Sequence, residues 1–100
     1  MLTKWLSRIG HSTLCTLAVI FRDQKILLGL RHYTPDAWKA VSVWTTPGGR
    51  CDTHETVEIT LRREVAEEVG ITDLAIHDFI GEVPGGKEGD TVLIFFCTTT

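Results

Sequence analysis

Three glutamates, Glu64, Glu67 and Glu68, stand close together in the segment RREVAEEVG, residues 62–70. At about 100° per residue on a helix they share an arc of about 100°, and Glu68 falls inside the predicted apolar stripe. Like charges four residues apart repel by roughly a few tenths of a kcal/mol, and acids in the last turns of a helix oppose its dipole. A partly buried carboxylate costs more again unless its charge is compensated. A helix with this pattern therefore carries several electrostatic penalties at one place.

A bound divalent cation would remove these penalties together. The three carboxylates offer hard oxygen ligands, and no histidine or cysteine lies among them, which favours Mg²⁺ or Mn²⁺ over Zn²⁺. The alternative is an ordinary solvated acidic face, which is the commonest meaning of three acids on a helix. The placement of Glu68 within the apolar stripe argues against that alternative. The sequence thus predicts a metal site formed by Glu64, Glu67 and Glu68.

The composition limits the kinds of ligand that such a site would serve. The chain has 100 residues, a formal net charge of −3 and 43% hydrophobic residues, as expected for one soluble globular domain. It contains no basic patch that would neutralise the phosphates of a nucleic acid polymer or bind an anionic membrane surface. Neither of those partners is expected, and a phosphate-bearing ligand would need a cation to hold it.

The three cysteines, Cys15, Cys51 and Cys97, form neither a CxxC pair nor an even disulfide framework. This pattern predicts free thiols, no zinc site and a cytoplasmic protein. Two basic residues ahead of the apolar run LCTLAVIF give the N-terminus a superficial likeness to a signal peptide. The run is too short to span a membrane and is followed at once by Arg22, so we interpret it as a buried strand.

The alternation of apolar residues and turn residues predicts a fold with more strands than helices. The first two strand candidates are joined by RDQK and should form a hairpin, and a loop is expected over residues 32–40. The third should stop at Pro47, Gly48 and Gly49, and the glycine-rich turn PGGKEGD joins the last two. The strand candidates are residues 13–21, 26–31, 41–47, 71–83 and 91–97.

The element that must position the three glutamates is a helix predicted from about Thr53 to Val69. Asp52, followed three residues later by Glu55, resembles a capping box at its start, and Gly70 suits the left-handed residue after its end. An apolar stripe wide enough to pack on a sheet is formed by Val57, Leu61, Val65 and Val69.

The segment GRCDTHETVEITLRREVAEEVGI, residues 49–71, resembles the box of MutT-like Nudix hydrolases at every defined position. The pattern is a glycine, five residues, a glutamate, seven residues, Arg-Glu, an apolar residue, any residue, Glu-Glu, any residue, a glycine and an apolar residue. Seven fixed identities at roughly 6% usage each give a chance match on the order of 10⁻⁹. His54 occupies an unconstrained position where many members of the family have glycine.

The resemblance implies an α/β fold, in which a mixed β-sheet lies in an α/β/α sandwich and the box forms a loop–helix–loop unit. Family domains are longer than this chain, so we expect one domain over residues 1–100 that lacks C-terminal elements. The implied reaction is Mg²⁺- or Mn²⁺-dependent hydrolysis of a small-molecule nucleoside diphosphate derivative, by a homodimer or a monomer. Candidate substrates are an oxidised or non-standard nucleoside triphosphate, ADP-ribose and a nucleotide sugar. A catalytically inactive nucleotide-sensing module is the alternative, which the intact box disfavours.

Site residues are implied by position in the box. Glu64, Glu67 and Glu68 resemble the metal ligands, and Glu64 also resembles the residue that orients or deprotonates the attacking water. Arg63 and Glu55 resemble an ion pair that fixes the loop and orients Glu64. Their implied contribution to catalysis is positional rather than direct.

Three residues outside the helix resemble substrate-binding positions. Gly48 and Gly49 would let the backbone approach the ligand closely, and a carbonyl there could ligate the metal. Arg31 resembles a phosphate-contacting arginine, although a solvated charge at the end of a strand is an equal alternative. Aromatic residues that could stack on a nucleobase, or belong to the core instead, are Tyr33, Trp38 and Trp44.

Overall fold

The computed structural model describes residues 2–33 and 41–100, and the side chains of residues 2–28 and 46–100. Within these ranges, no helix is long and apolar enough to cross a membrane. The architecture is mixed α/β, as predicted. Its elements are α1 (Leu2–Leu6), β1 (Leu14–Arg22), β2 (Lys25–Ile26), β3 (Gly29–Tyr33), β4 (Val41–Thr45), β5 (Gly48–Arg50), α2 (Val57–Val69), β6 (Ala75–Pro84) and β7 (Thr91–Thr98).

Five of the strands form one mixed sheet in the order β2-β1-β7-β6, and β5 also pairs with β1. The long strands β1 and β7 are parallel, from Leu14 opposite Thr91 to Phe21 opposite Thr98. The remaining pairs in this sheet are antiparallel. Strands β3 and β4 form a separate antiparallel pair. The sheet therefore brings β5, which precedes α2 in the chain, next to the first long strand.

The first predicted hairpin is only partly correct. Strand β1 turns into β2 through Asp23 and Gln24, whose φ values of 52° and 64° are those of a two-residue type I′ turn. The second strand was expected to run over residues 26–31, but Gly29–Tyr33 pairs with β4 instead. The predicted loop over residues 32–40 is wrong for its first two residues, which belong to β3, and its remainder lies outside the described residues.

The predicted stop of the third strand at Pro47, Gly48 and Gly49 is confirmed, because β4 ends at Thr45. The two glycines do not form a loop, however: Gly48 and Gly49 form β5 with Arg50, opposite residues 15–17 of β1. The glycines were interpreted as breakers because of their local preference, and pairing with the backbone of β1 outweighs that preference. As a result, the two glycines are held beside the helix rather than left in a loop.

Helix α2 packs its apolar stripe against the sheet, as predicted. Every second residue of β1 from Leu14 to Ile20 is buried, and the same alternation buries Phe95 on β7. Burial of each such large apolar side chain stabilises the fold by about 1.5–3 kcal/mol. The fully buried apolar residues of the helix are Val57, Leu61 and Val65.

The start of α2 differs from the prediction. The helix begins at Val57, and Thr56 is its N-cap, with its hydroxyl accepting the Ile59 N–H at 3.2 Å. The predicted capping box of Asp52 and Glu55 is wrong, because their hydrogen bond closes a loop that precedes the helix. The predicted end is confirmed: Gly70 has a φ of 73° and donates its N–H within the last turn.

A short helix that the sequence analysis did not predict, α1, lies at the N-terminus. Its Trp5 stacks on Phe79 of β6, with ring centroids 4.0 Å apart and an interplanar angle of 12°. The chain then forms an isolated antiparallel bridge in which Ile9 lies opposite Thr56. We call this contact the N-terminal bridge, since it joins the first residues of the chain to the N-cap of α2.

The three cysteines are free thiols, as predicted. Cys51 and Cys97 are buried, and desolvation raises the pKa of the Cys97 thiol to about 12. The thiol of Cys51 also has a raised pKa for the same reason. Both side chains therefore act as small apolar groups of the core.

Candidate functional site

Arg63 lies at the centre of a network of carboxylates. Its Nε and Nη2 donate to the two oxygens of Glu55, at 2.7 and 2.9 Å, and together these bonds form a bidentate ion pair. Its Nη1 donates to Glu64 Oε1 at 2.9 Å and to Glu67 Oε2 at 3.4 Å. One guanidinium thus joins the loop before α2 to Glu64 and Glu67, two of the three glutamates that were predicted to bind a metal.

Glu55 is held as an anion by its partners. Besides Arg63, the Thr60 hydroxyl donates to its Oε1 at 2.6 Å and the Asp52 N–H donates at 3.2 Å. Hydrogen bonding to Arg63, followed by these smaller contributions, lowers the pKa of Glu55 to about 2. A carboxyl group that stays ionised at all ordinary pH values does not exchange protons with a substrate. The contacts of Glu55 therefore suit a positioning role.

The pKa of Glu64 is shifted in the opposite direction from that of Glu55. Its side chain is only 18% exposed, and this burial raises its pKa, although Arg63 acts to lower it. The neighbouring charges of Glu67 and Glu68 raise the pKa further. Glu64 thus has an environment that favours uptake of a proton.

The burial of Glu68 differs from the prediction. Glu68 was expected to lie within the apolar stripe, but it is exposed, as is Glu67. The stripe is centred on Leu61 and Val65, and Glu68 lies beside it, next to the glycine backbone of β5. The glycine backbone offers no side chain that would cover the carboxylate.

Both glycines of β5 contact the glutamates of α2. The Gly48 N–H donates to Glu68 Oε2 at 3.2 Å. A Cβ atom added to Gly49 would lie 2.4 Å from the carboxyl carbon of Glu64 and 2.6 and 2.7 Å from its oxygens. Only glycine leaves room for the Glu64 carboxylate here without a shift. The structure thus brings together two residues predicted to bind substrate and two predicted to bind metal.

The donor atoms of this cluster suit a hard cation. Glu64, Glu67 and Glu68 offer carboxylate oxygens on one flank of α2, and such ligands match Mg²⁺ and Mn²⁺. Among the described residues, however, no three acidic, histidine or cysteine side chains converge in an arrangement that could hold a metal. The Arg63 guanidinium and the Gly48 N–H each donate to oxygens of these carboxylates. The metal ligands therefore stay a prediction.

Other predicted site residues fall where the structure gives no side-chain positions. Arg31 lies on β3, and its contact with phosphate stays a prediction. Tyr33 and Trp44 lie on β3 and β4, again with side chains outside the described range, and Trp38 lies outside the described residues altogether.

The sequence analysis missed an ion pair between Arg50 and Asp90. Arg50 Nη1 and Nη2 donate to the two carboxylate oxygens at 2.9 and 2.8 Å, and Nη1 also donates to the Ser12 carbonyl oxygen at 2.6 Å. The side chain of Asp90 is 5% exposed, and the bond to Arg50 lowers its pKa. This pair fixes β5, directly after Gly49, to the turn between β6 and β7. No local signal indicates it, because its two residues are far apart in the sequence.

His54 adopts a backbone conformation that favours glycine. Its φ is 73°, in the left-handed region that a residue with a Cβ rarely occupies. This is the position where many Nudix boxes carry glycine, which explains that preference in physical terms. The loop before α2 thus tolerates a strained histidine.

The comparisons with known proteins agree with the box. A family model described as the NUDIX domain matches residues 11–100. The oxidized purine nucleoside triphosphate hydrolase of Danio rerio is 36% identical over 78 residues, which cover 71% of this chain and 47% of that protein. The chain therefore spans about half the length of this curated relative.

Solved structures share the fold. An ADP-ribose pyrophosphatase from Streptococcus suis has a TM-score of 0.67 at 26% identity, over 89% of this chain and 61% of that chain. The E. coli ORF135 protein has a TM-score of 0.64 at 27% identity, over 86% and 59% of the two chains. The fold alone is shared with a MutT NUDIX hydrolase from Burkholderia pseudomallei, at a TM-score of 0.55 and 24% identity. With the family model covering residues 11–100, this chain belongs to the Nudix hydrolase family.

Proposed function

We propose that this protein is a Mg²⁺- or Mn²⁺-dependent hydrolase that cleaves the diphosphate linkage of a nucleoside diphosphate derivative. The observation that carries the proposal is the Glu55–Arg63–Glu64 network, in which a fixed anion orients the arginine and the arginine orients a half-buried glutamate. A purely structural helix gains little from burying a carboxylate against a glycine backbone. The arrangement is suited to acid–base work on a water molecule.

Three glutamates of α2, Glu64, Glu67 and Glu68, are the residues that would hold the cation. When bound by Glu64, Glu67 and Glu68, Mg²⁺ or Mn²⁺ supplies positive charge that neutralises the diphosphate. The chain itself has a formal net charge of −3 and would otherwise repel such a ligand. Gly48 and Gly49 are the proposed positions where a phosphate group meets the backbone of β5, and Gly49 also leaves the room that the Glu64 carboxylate occupies.

Glu64 is the proposed proton acceptor. Arg63 holds its Oε1, and Gly49 lies against its carboxylate, so the group has a fixed direction and little water around it. As water attacks phosphorus, its proton passes to Glu64, the new P–O bond forms, and the bond to the leaving phosphate breaks with its electron pair going to that phosphate. Positioning and charge neutralisation supply most of the rate in phosphoryl transfer.

The similarity values support a nucleoside triphosphate as the first substrate to test. The relative with 36% identity is named as an oxidized purine nucleoside triphosphate hydrolase, whereas the ADP-ribose pyrophosphatase is 26% identical. ADP-ribose is the second candidate, because the TM-score of that structure is 0.67. A nucleotide sugar and a catalytically inactive sensor complete the set of alternatives.

The test is release of phosphate or pyrophosphate from oxidised and unmodified nucleoside triphosphates, ADP-ribose and nucleotide sugars, with Mg²⁺ or with a chelator. Glu64→Gln is compared with Glu58→Gln, which makes the same change on the exposed side of the same helix. Metal-dependent turnover that Glu64→Gln abolishes and Glu58→Gln retains would support the proposal. Tight nucleotide binding without turnover by the folded wild-type chain would favour the sensor. Sedimentation velocity would decide between monomer and homodimer.

A further inference from the structure

The N-terminal bridge connects the first residues of the chain to the backbone of Glu55. The Gly10 N–H donates to the Glu55 carbonyl oxygen at 2.6 Å, and the Val57 N–H donates to the Arg8 carbonyl oxygen at 2.9 Å. The family model begins only at residue 11. A segment outside the matched region therefore holds both sides of the N-cap of α2.

Gly10 is enclosed at this contact. A Cβ atom at position 10 would lie 2.5 Å from Cys51 Cβ, 2.7 Å from its Sγ and 3.0 Å from the Glu55 carbonyl oxygen. Cys51 is only 3% exposed and donates its N–H to the Leu14 carbonyl oxygen, so it has little room to move. A larger residue at position 10 must therefore displace its own segment or the backbone of Glu55.

The other end of the segment is anchored on the sheet. Trp5 stacks on Phe79 of β6, and Leu2 and Leu6 pack with Trp5 against the core. Stacked aromatic pairs contribute roughly 0.5–1.5 kcal/mol beyond the area that they bury. Residues 2–10 thus form a brace between β6 and the loop that carries Glu55.

We propose that residues 2–10 position the catalytic network, with Gly10 as a positioning residue that acts through Glu55. The side chain of Glu55 holds Arg63, and Arg63 holds the carboxylate of Glu64, so a shift of the Glu55 backbone is passed to Glu64. The proposal rests on the proposed function of Glu64. A misplacement by a fraction of an ångström is enough to slow a reaction that depends on orientation.

The test is Gly10→Ala in the full chain, with two readouts. The first is the ¹H–¹⁵N NMR signal of the Arg63 Nε–H, which donates to Glu55 at 2.7 Å and is assigned by its loss in Arg63→Lys. The second is kcat and KM for the substrate found above. We expect the Nε–H signal to shift and broaden, and kcat to fall roughly tenfold to a hundredfold with KM changed less than about twofold. The matched control is Gly86→Ala, where an added Cβ meets no atom within 4 Å.

A second pair of variants changes Trp5, at the end of the brace that packs on β6. Trp5→Ala should broaden the Arg63 signal and lower kcat in the same way, and Trp5→Phe should restore both because it keeps a stacked ring. These variants decide the question if Gly10→Ala does not fold. An unchanged Arg63 signal in folded Gly10→Ala or in Trp5→Ala would overturn the proposal. If the wild-type chain shows no turnover, the proposed function fails, while the NMR signal still tests the brace.

Discussion

Glu55 and Arg63 are joined by two parallel hydrogen bonds, of 2.7 and 2.9 Å, across the N-terminal half of α2. Glu55 lies before the helix and Arg63 lies within it, so the pair ties the loop to the helix independently of the N-cap. A third nitrogen of Arg63 donates to Glu64, so the Glu55–Arg63 pair holds the loop on the helix and also fixes the guanidinium that contacts Glu64.

Replacing Arg63 by lysine should reduce both stability and turnover. Lysine cannot form the two parallel bonds, and Glu55 and Glu64 are left with fewer donors. We expect a loss of about 1–3 kcal/mol in the free energy of unfolding, measured by urea denaturation, and a large fall in kcat. Arg22→Lys is the control, since Arg22 is exposed and donates to the Thr100 carbonyl oxygen at 3.3 Å, where substitutions usually change stability by less than about 0.5 kcal/mol. Equal losses in the two variants would contradict the role of Arg63.

The lowered pKa of Glu55 predicts a specific dependence of stability on pH. Its pKa falls from near 4.5 to about 2 on folding, so the pair stabilises the folded state fully above pH 4.5. This contribution should be lost progressively as the pH falls from about 4.5 to about 2. The urea midpoint of the wild-type chain should thus drop more steeply over that range than the midpoint of Glu55→Gln. Parallel curves for the two proteins would mean that Glu55 titrates normally.

Gly49→Ala should lower the activity of the protein while leaving its stability nearly unchanged. The added methyl group would lie 2.4 Å from the carboxyl carbon of Glu64, which is the far end of a flexible side chain. The carboxylate can swing away at small cost, so the melting temperature should change little while kcat falls at least about tenfold, because Glu64 loses its orientation. Gly81→Ala on β6, with no atom within 4 Å of the added methyl, is the control. Full activity in Gly49→Ala would remove Glu64 from the mechanism as proposed.

His54→Gly should stabilise the fold. The left-handed conformation costs a residue with a Cβ roughly 1–2 kcal/mol, and the greater freedom of glycine in the unfolded chain offsets part of the gain. We expect a net increase of about 0.5–1 kcal/mol in the free energy of unfolding, read from urea denaturation. Thr53→Gly serves as the comparison, because Thr53 has no positive φ and should lose stability or stay neutral. Destabilisation by His54→Gly would indicate that the histidine makes a compensating contact.

The sequence predicted the parts of the site that depend on local periodicity. The stripe from Val57 to Val69 follows from helical spacing. The same spacing grouped Glu64, Glu67 and Glu68 within one arc, although it placed Glu68 inside the stripe, whereas the structure leaves it exposed. The N-cap was misassigned because Glu55 has the right type for a capping box, while its carboxylate is bound by Arg63. A competing partner within the tertiary structure thus changed the role of a correctly placed residue.

Contacts between distant segments could not be predicted. The bond between Arg50 and Asp90 joins residues 40 positions apart, the bond between Gly10 and Glu55 joins residues 45 positions apart, and no local pattern indicates either contact. The division of the second predicted strand has the same origin, since Gly29–Tyr33 pairs with β4 and not with β1. Pairing choices of this kind are decided by the whole sheet rather than by any one segment.

The parallel pairing of β1 with β7 also has a consequence for the order of folding. Residue 14 meets residue 91 and residue 21 meets residue 98, so the central pair of the sheet closes only across most of the described chain. Such non-local pairing slows folding, because a long loop must be closed before its contacts are gained. The core cluster that contains Val57, Leu61 and Val65 of α2 also contains Leu93 and Phe95 of β7, so this core is complete only once β7 has paired.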